Sequence, residues 1–175
     1  MVDVKPLVDA LVRSRRGSLA ATAALGGLAL VAGLAARALR GPGAPEAAAA
    51  PAADASAPTV GEDEARIMLR AMVAATLADG LIDKDERQRL DAAVQASGLA
   101  TDGAAWLEAE IADPVDLDEI GDAVETPEQA ARIYAAVRLS VLADTLQERE
   151  FLKRLAETLD VPEEAVSRIE GELAA

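Results

Sequence analysis

The sequence predicts an all-α protein: about seven short helices in a C-terminal body, a flexible linker before them, and one hydrophobic transmembrane helix at the N-terminal end. Three observations carry this. The apolar fraction is 51% but aromatics are only 2%, so the interior must be built from Ala, Leu, Val and Ile. That set suits closely packed helices and suits sheets poorly. Apolar residues recur at helical spacing, as in Ile67, Ala71, Ala74, Ala78 and in Ile133, Val137, Val141. Helix-start signals also recur at short intervals, and no strand-like run competes with them.

At the N-terminal end, Leu7, Val8, Leu11 and Val12 stand at helical spacing and either extend the hydrophobic helix or lie on a membrane interface. Gly17 to Ala36 is 20 residues without a charge, bracketed by Arg13, Arg15 and Arg16 before it and by Arg37 and Arg40 after it. At ~1.5 Å per residue it reaches about 30 Å, the thickness of a hydrocarbon core. A buried helix and a cleaved signal peptide are the alternatives. The long basic lead and the arginine just beyond favour an uncleaved anchor, which makes residues 1–40 a membrane-anchoring unit. The basic excess on the N-terminal side places the C-terminal body outside the cytoplasm. Ala29 and Gly33 stand at the small-xxx-small interval, a spacing compatible with helix pairing and a homo-oligomer.

Residues 41–60 read as a linker, because Pro42, Pro45, Pro51 and Pro58 interrupt any helix and the alanines between them have little to bury. The body occupies residues 61–175, with helices expected at 62–78, 84–97, 103–112, 117–124, 127–142, 146–159 and 162–173. Their starts read as N-caps followed by an acid or amide three residues on: Asp83 with Glu86, Asp116 with Glu119, Thr126 with Gln129, Thr145 with Glu148, and Asp160 with Glu163. Pro127 and Pro162 fit the first turn after their caps. Trp106 and Tyr134, each the only one of its kind, read as core residues. A faint repeat superposes the helical hairpin around Glu86, Arg87 and Leu90 on the one around Glu148, Arg149 and Leu152.

Composition excludes several chemistries. The chain has no cysteine and no histidine, so disulfides, zinc fingers, Cys or Ser–His–Asp nucleophile systems and imidazole acid–base catalysis are absent. No Gly-rich phosphate loop and no Gly-x-Ser-x-Gly elbow is present. The net charge is −14, and from Val60 onward 27 Asp/Glu against 11 Lys/Arg leave −16. A body this acidic is repelled by nucleic-acid phosphates, so no nucleic acid is expected as a partner. An Asp/Glu-dependent hydrolase is formally available, but no substrate-binding aromatics accompany the carboxylates.

The most informative stretch runs Ala78-Asp79-Gly80-Leu81-Ile82-Asp83-Lys84-Asp85-Glu86. Gly80 suits the positive φ that ends a helix, and Asp83 restarts one. Asp79, Asp83 and Glu86 follow the second half of an EF-hand loop, but Ala75 and Leu77 stand where its first ligands belong, which rules out a complete loop. The acids remain a candidate metal site if Asp144 and Glu148 of the second hairpin add oxygens. The matching cofactor is a divalent cation, calcium, magnesium or manganese. The competing reading is purely structural, since helix capping accounts fully for Asp83, Glu86 and Glu148.

The phrase from Ile67 to Glu86, with Ala112-Asp113-Pro114-Val115-Asp116-Leu117-Asp118, Tyr134 to Arg138 and Asp144 to Leu152, resembles the TerB-like (tellurite-resistance) helical superfamily. The likeness is closest to its bacterial inner-membrane branch of unknown function. The resemblance implies an α-helical domain with an acidic surface and a capacity for metal, and it implies no established catalytic activity. The expected function is a membrane-anchored binding or sensing module linked to metal or envelope stress. The alternative is a scaffold whose helices dock a protein partner without metal.

Overall fold

The computed structural model describes residues 3–14, 26–40, 60–80, 82, 84–98, 100–141, 143 and 145–174. Among them are nine α-helices: α1 (Lys5–Ser14), α2 (Gly27–Arg40), α3 (Glu62–Thr76), α4 (Lys84–Ala96), α5 (Ala100–Ala112), α6 (Leu117–Asp122), α7 (Pro127–Ser140), α8 (Leu146–Thr158) and α9 (Glu163–Ala174). The seven from α3 onward fall where periodicity and caps put them. Of the expected linker 41–60, residues 41–59 lie outside the described residues, and Val60 is buried in the core.

Helix α7 is the centre of the molecule. It buries Ala130, Ala131, Ile133, Tyr134, Ala135, Ala136, Val137 and Leu139, and so is apolar nearly all round, the pattern of an enclosed helix. It packs against α1, α2, α3, α8 and α9. Its alanines let neighbouring helices approach closely, while Met68, Leu69 and Met72 of α3 and Leu155 and Ile169 from α8 and α9 complete the core.

The caps are local consequences of sequence. Asp116 accepts from the Glu119 N–H at 2.9 Å, and Thr126 accepts from the Gln129 N–H at 3.2 Å. Thr145 and Glu148 form a complete capping box, closing on each other's backbone N–H. Gly98 (φ +75°) ends α4, and Gly80 (φ +87°) closes the turn after α3 by donating to the Leu77 carbonyl at 2.8 Å, both in the left-handed conformation that glycine adopts without strain.

Asp160 corrects one expected cap. It sits at φ +51° just after α8; its N–H donates to Glu157 O (3.2 Å) and that of Val161 to Ala156 O (3.0 Å). These are the two bonds of a Schellman motif, so Asp160 closes α8 instead of opening α9.

The larger correction concerns residues 1–40. Among the described residues no helix is long and apolar enough to cross a membrane. This overturns the transmembrane anchor and the single-pass inner-membrane placement, and removes the premise from which the exported body was argued. Of the uncharged segment, 17–25 lie outside the described residues, Gly26 precedes α2, and 27–36 lie within that helix. Its 14 residues span about 21 Å, well short of the ~30 Å required.

The apolar stripes of both N-terminal helices are consumed within the fold. Val4 just before α1, Leu7, Val8, Leu11 and Val12 from α1, and Val31, Leu34 and Ala38 from α2 join the core, with α1 lying on α4 and α2 on α7. The helices cross tightly at Gly27, where a Cβ would stand 2.7 Å from the Asp9 carbonyl oxygen. The flanking charges are also engaged. Arg37 pairs with Glu172, Arg13 with Asp9 at 2.7 Å, and Arg168 donates to the Ala38 carbonyl, one of the orphan acceptors at the end of α2. The Val4 N–H donates to Glu62 Oε1 at 2.8 Å. Ala29 and Gly33, the small-residue pair, lie on the exposed side of α2.

Candidate functional site

Three of the five expected metal ligands, Asp79, Glu86 and Glu148, lie among the described residues, where they form no group of three. Asp79 is exposed in the turn after α3. Glu86 is half-buried on the first turn of α4, where it lines a cavity of about 20 Å³ with Leu11, Thr76, Arg89 and Ser140, room for a single water. Glu148 is buried with its carboxylate turned back on its own helix, accepting from the Thr145 N–H at 3.2 Å and hydroxyl at 3.1 Å. Asp83 and Asp144 lie outside the described residues. Among the described residues no group of three or more Asp or Glu has metal-binding placement. The two hairpins also differ at their turns: seven residues separate α3 from α4, and five separate α7 from α8.

A different acidic feature dominates the surface. From Asp102 to Glu128 there are ten Asp or Glu and no Lys or Arg, and nine of the ten are exposed. Arg70, on α3, organises this face. Its guanidinium bonds Glu110 of α5 at 2.8 Å and Glu119 of α6 at 2.6 Å, fixing both helices against the body. Burial pulls the Arg70 pKa down, but its hydrogen bonds to Glu119 and Glu110 outweigh this and hold it above the usual arginine value. Glu108 pairs with Arg87. The other seven, Asp102, Asp113, Asp116, Asp118, Asp122, Glu125 and Glu128, form no ion pair among the described residues. Sequence reasoning did not single out this face. The signal it passed over is the length of the stretch without a base, from Arg89 to Arg132.

Among the described residues several grooves flank the body, two of which border α8. One, of about 370 Å³, lies between the end of α3, the 113–118 turn and α8. Its apolar lining includes Leu77, Val115, Leu117 and Phe151, and Asp116, Asp118 and Arg154 stand among its polar residues. It opens beside the acidic face. The turn reaches this position because Pro114 follows the end of α5 and Asp116 caps α6. Gly121 then lets α6 lie directly against Thr158 of α8, whose Cγ2 would be 2.7 Å from an added Cβ.

The other groove, of about 600 Å³, runs between α7, α8 and α9. Its charges are largely satisfied by one another. Arg138 bonds Glu170 at 2.7 and 2.8 Å, Tyr134 donates to the same carboxylate at 3.1 Å, and Lys153 approaches Glu157 at 4.0 Å. Burial, reinforced by Glu170, pushes the Tyr134 hydroxyl well above the usual tyrosine value, so this phenol stays protonated and serves as a hydrogen-bond donor.

No curated protein and no solved structure matches this chain. One family model does, that of "Protein of unknown function (DUF533)", over residues 7–173. The match carries no link to TerB-like domains or to tellurite resistance. It takes in α1, α2 and the helical body together, and the chain belongs to the DUF533 family.

Proposed function

We propose that the chain is a non-enzymatic docking module that presents the acidic face of α5 and α6 to a positively charged protein partner. The observation that carries this reading is the run of ten carboxylates without a base, nine of them exposed and seven outside any ion pair among the described residues. Unneutralised charge of one sign on a rigid face steers association with a partner of the opposite sign. The lack of histidine and cysteine, and a TerB-like resemblance that implies a binding domain, support a role without catalysis. The competing reading is divalent-cation binding by Asp79, Asp83, Glu86, Asp144 and Glu148.

One experiment separates the two. The full chain is titrated with a lysine-rich helical peptide and with its glutamate-rich counterpart. It is also melted with chelator and with millimolar calcium, magnesium or manganese. The docking reading predicts that the lysine peptide alone binds, more weakly as salt is added, and that the melts coincide. The cation reading predicts a gain of about 2.7 kcal/mol at a hundredfold excess of metal over Kd, with no peptide binding.

A further inference from the structure

We infer that the groove between the end of α3, the 113–118 turn and α8 receives a basic amphipathic helix from a partner protein. This rests on the docking reading and adds where the partner sits and what it looks like. The groove's apolar floor calls for an apolar ligand face, because Leu77, Leu117 and Phe151 are only half-buried and are left partly open to water. Its surroundings demand the opposite of an apolar ligand. Asp116 and Asp118 line it, exposed Asp79 follows its lining residue Ala78, and the base-free surface of α5 and α6 extends from it.

A ligand that satisfies both must be apolar along one side and cationic along the other. A helix carrying Leu-like anchors at i, i+3, i+4 and i+7 with Lys or Arg between them has that form. Nucleic acid, acidic peptides and anionic lipid are disfavoured by charge, and a bare polyamine would leave the apolar floor uncovered. Asp116 and Asp118 outnumber the one base that lines this groove, Arg154, whereas in the groove between α7, α8 and α9 Arg138 and Lys153 already face Glu170 and Glu157.

The test uses the full chain and two peptides of identical composition, each about 18 residues and ~27 Å long as a helix. One has leucines on one side and lysines on the other; its isomer is scrambled. A photo-crosslinker on the apolar side maps the site on the unaltered chain. The proposal predicts cross-links at residues 77–78, 114–118 and 151–154, and affinity at least about tenfold tighter than the isomer's. Phe151→Gln should weaken the amphipathic peptide about tenfold, and Asp118→Lys should lower its affinity and flatten its salt dependence. Cross-links elsewhere, or equal binding of the two isomers, overturn the groove while leaving the acidic face as a docking surface. Failure of both peptides to bind overturns both. A dimer of the chain that the peptide displaces would assign the groove to a second copy and so overturn it as well.

Discussion

Replacing Gly27 and Gly33 by alanine, one at a time, probes whether α2 is packed into the body. Both lie in the hydrophobic segment, but their surroundings differ. At Gly27 a Cβ would stand 2.7 Å from the Asp9 carbonyl oxygen, 3.1 Å from Val12 Cβ and 3.2 Å from Asp9 Cα. A relaxed carbon–oxygen contact needs about 3.3 Å, so α1 must retreat by roughly 0.6 Å. That retreat also strains the bond from the Leu28 N–H to Asp9 Oδ1, now 3.2 Å. Overpacking of this kind costs about 1–3 kcal/mol, and alanine gains little in compensation at a helix start.

Gly33 has nothing within 4 Å of its Cβ direction and sits inside the helix, where alanine is better by about 0.8–1 kcal/mol. For a chain of this size the melting temperature should fall by about 2–10 °C for Gly27→Ala and rise by about 2–4 °C for Gly33→Ala. The assay is thermal and urea unfolding of the full chain, followed by far-ultraviolet circular dichroism. Shifts of the same sign, or no shift for Gly27→Ala, would refute the packing.

Three further outcomes follow from the polar contacts. Glu64 and Arg132 form a forked pair at 2.6 and 3.0 Å with side chains only 10% and 12% exposed, so Arg132→Met should cost about 3–5 kcal/mol in urea unfolding, while the double change with Glu64→Met should restore most of it. Thr145→Ala should cost about 1 kcal/mol through the lost capping box, equally with and without divalent cations. Tyr134 is the only tyrosine, and its folded value is raised above the unfolded one, so its contribution to stability is fully present below pH ~10 and is lost as pH rises beyond that. Tyrosinate absorbance should therefore appear above the usual range, and Tyr134→Phe should remove that part of the alkaline destabilisation.

The helices of the body were legible because each carries its own start signal and apolar period. Thr126 with Pro127, and Thr145 with Glu148, did as their sequence required. Asp160 misled because Asp-Val-Pro-Glu fits an N-cap as written, yet aspartate also tolerates the left-handed conformation in which the preceding helix ends. The hydrophobic segment misled for a deeper reason. An uncharged Ala/Gly run has the same composition whether it meets lipid or an alanine-lined helix such as α7. What decides is tertiary: Arg37 and the Ala38 carbonyl meet Glu172 and Arg168, 135 and 130 residues away in sequence. The apolar stripe of Leu7, Val8, Leu11 and Val12 was the available clue, since it demands a partner that one spanning helix does not supply. The expected site was only partly legible. Glu148 serves the cap that sequence also offered it; the acidic face of α5 and α6 was visible as the base-free run between Arg89 and Arg132, but not that Arg70 gathers the two helices into one surface.

The claim on which the rest stands is that α1 and α2 belong to the same folded unit as α7. Native-state hydrogen exchange on the full chain in detergent-free buffer tests it most directly. The account predicts that the amides of Leu11 and Val12 in α1, and of Val31, Leu34 and Ala35 in α2, open with free energies within ~1 kcal/mol of those of Ile133 and Val137. Exchange of the α1 and α2 amides at nearly free-peptide rates, with α7 still protected, would contradict it.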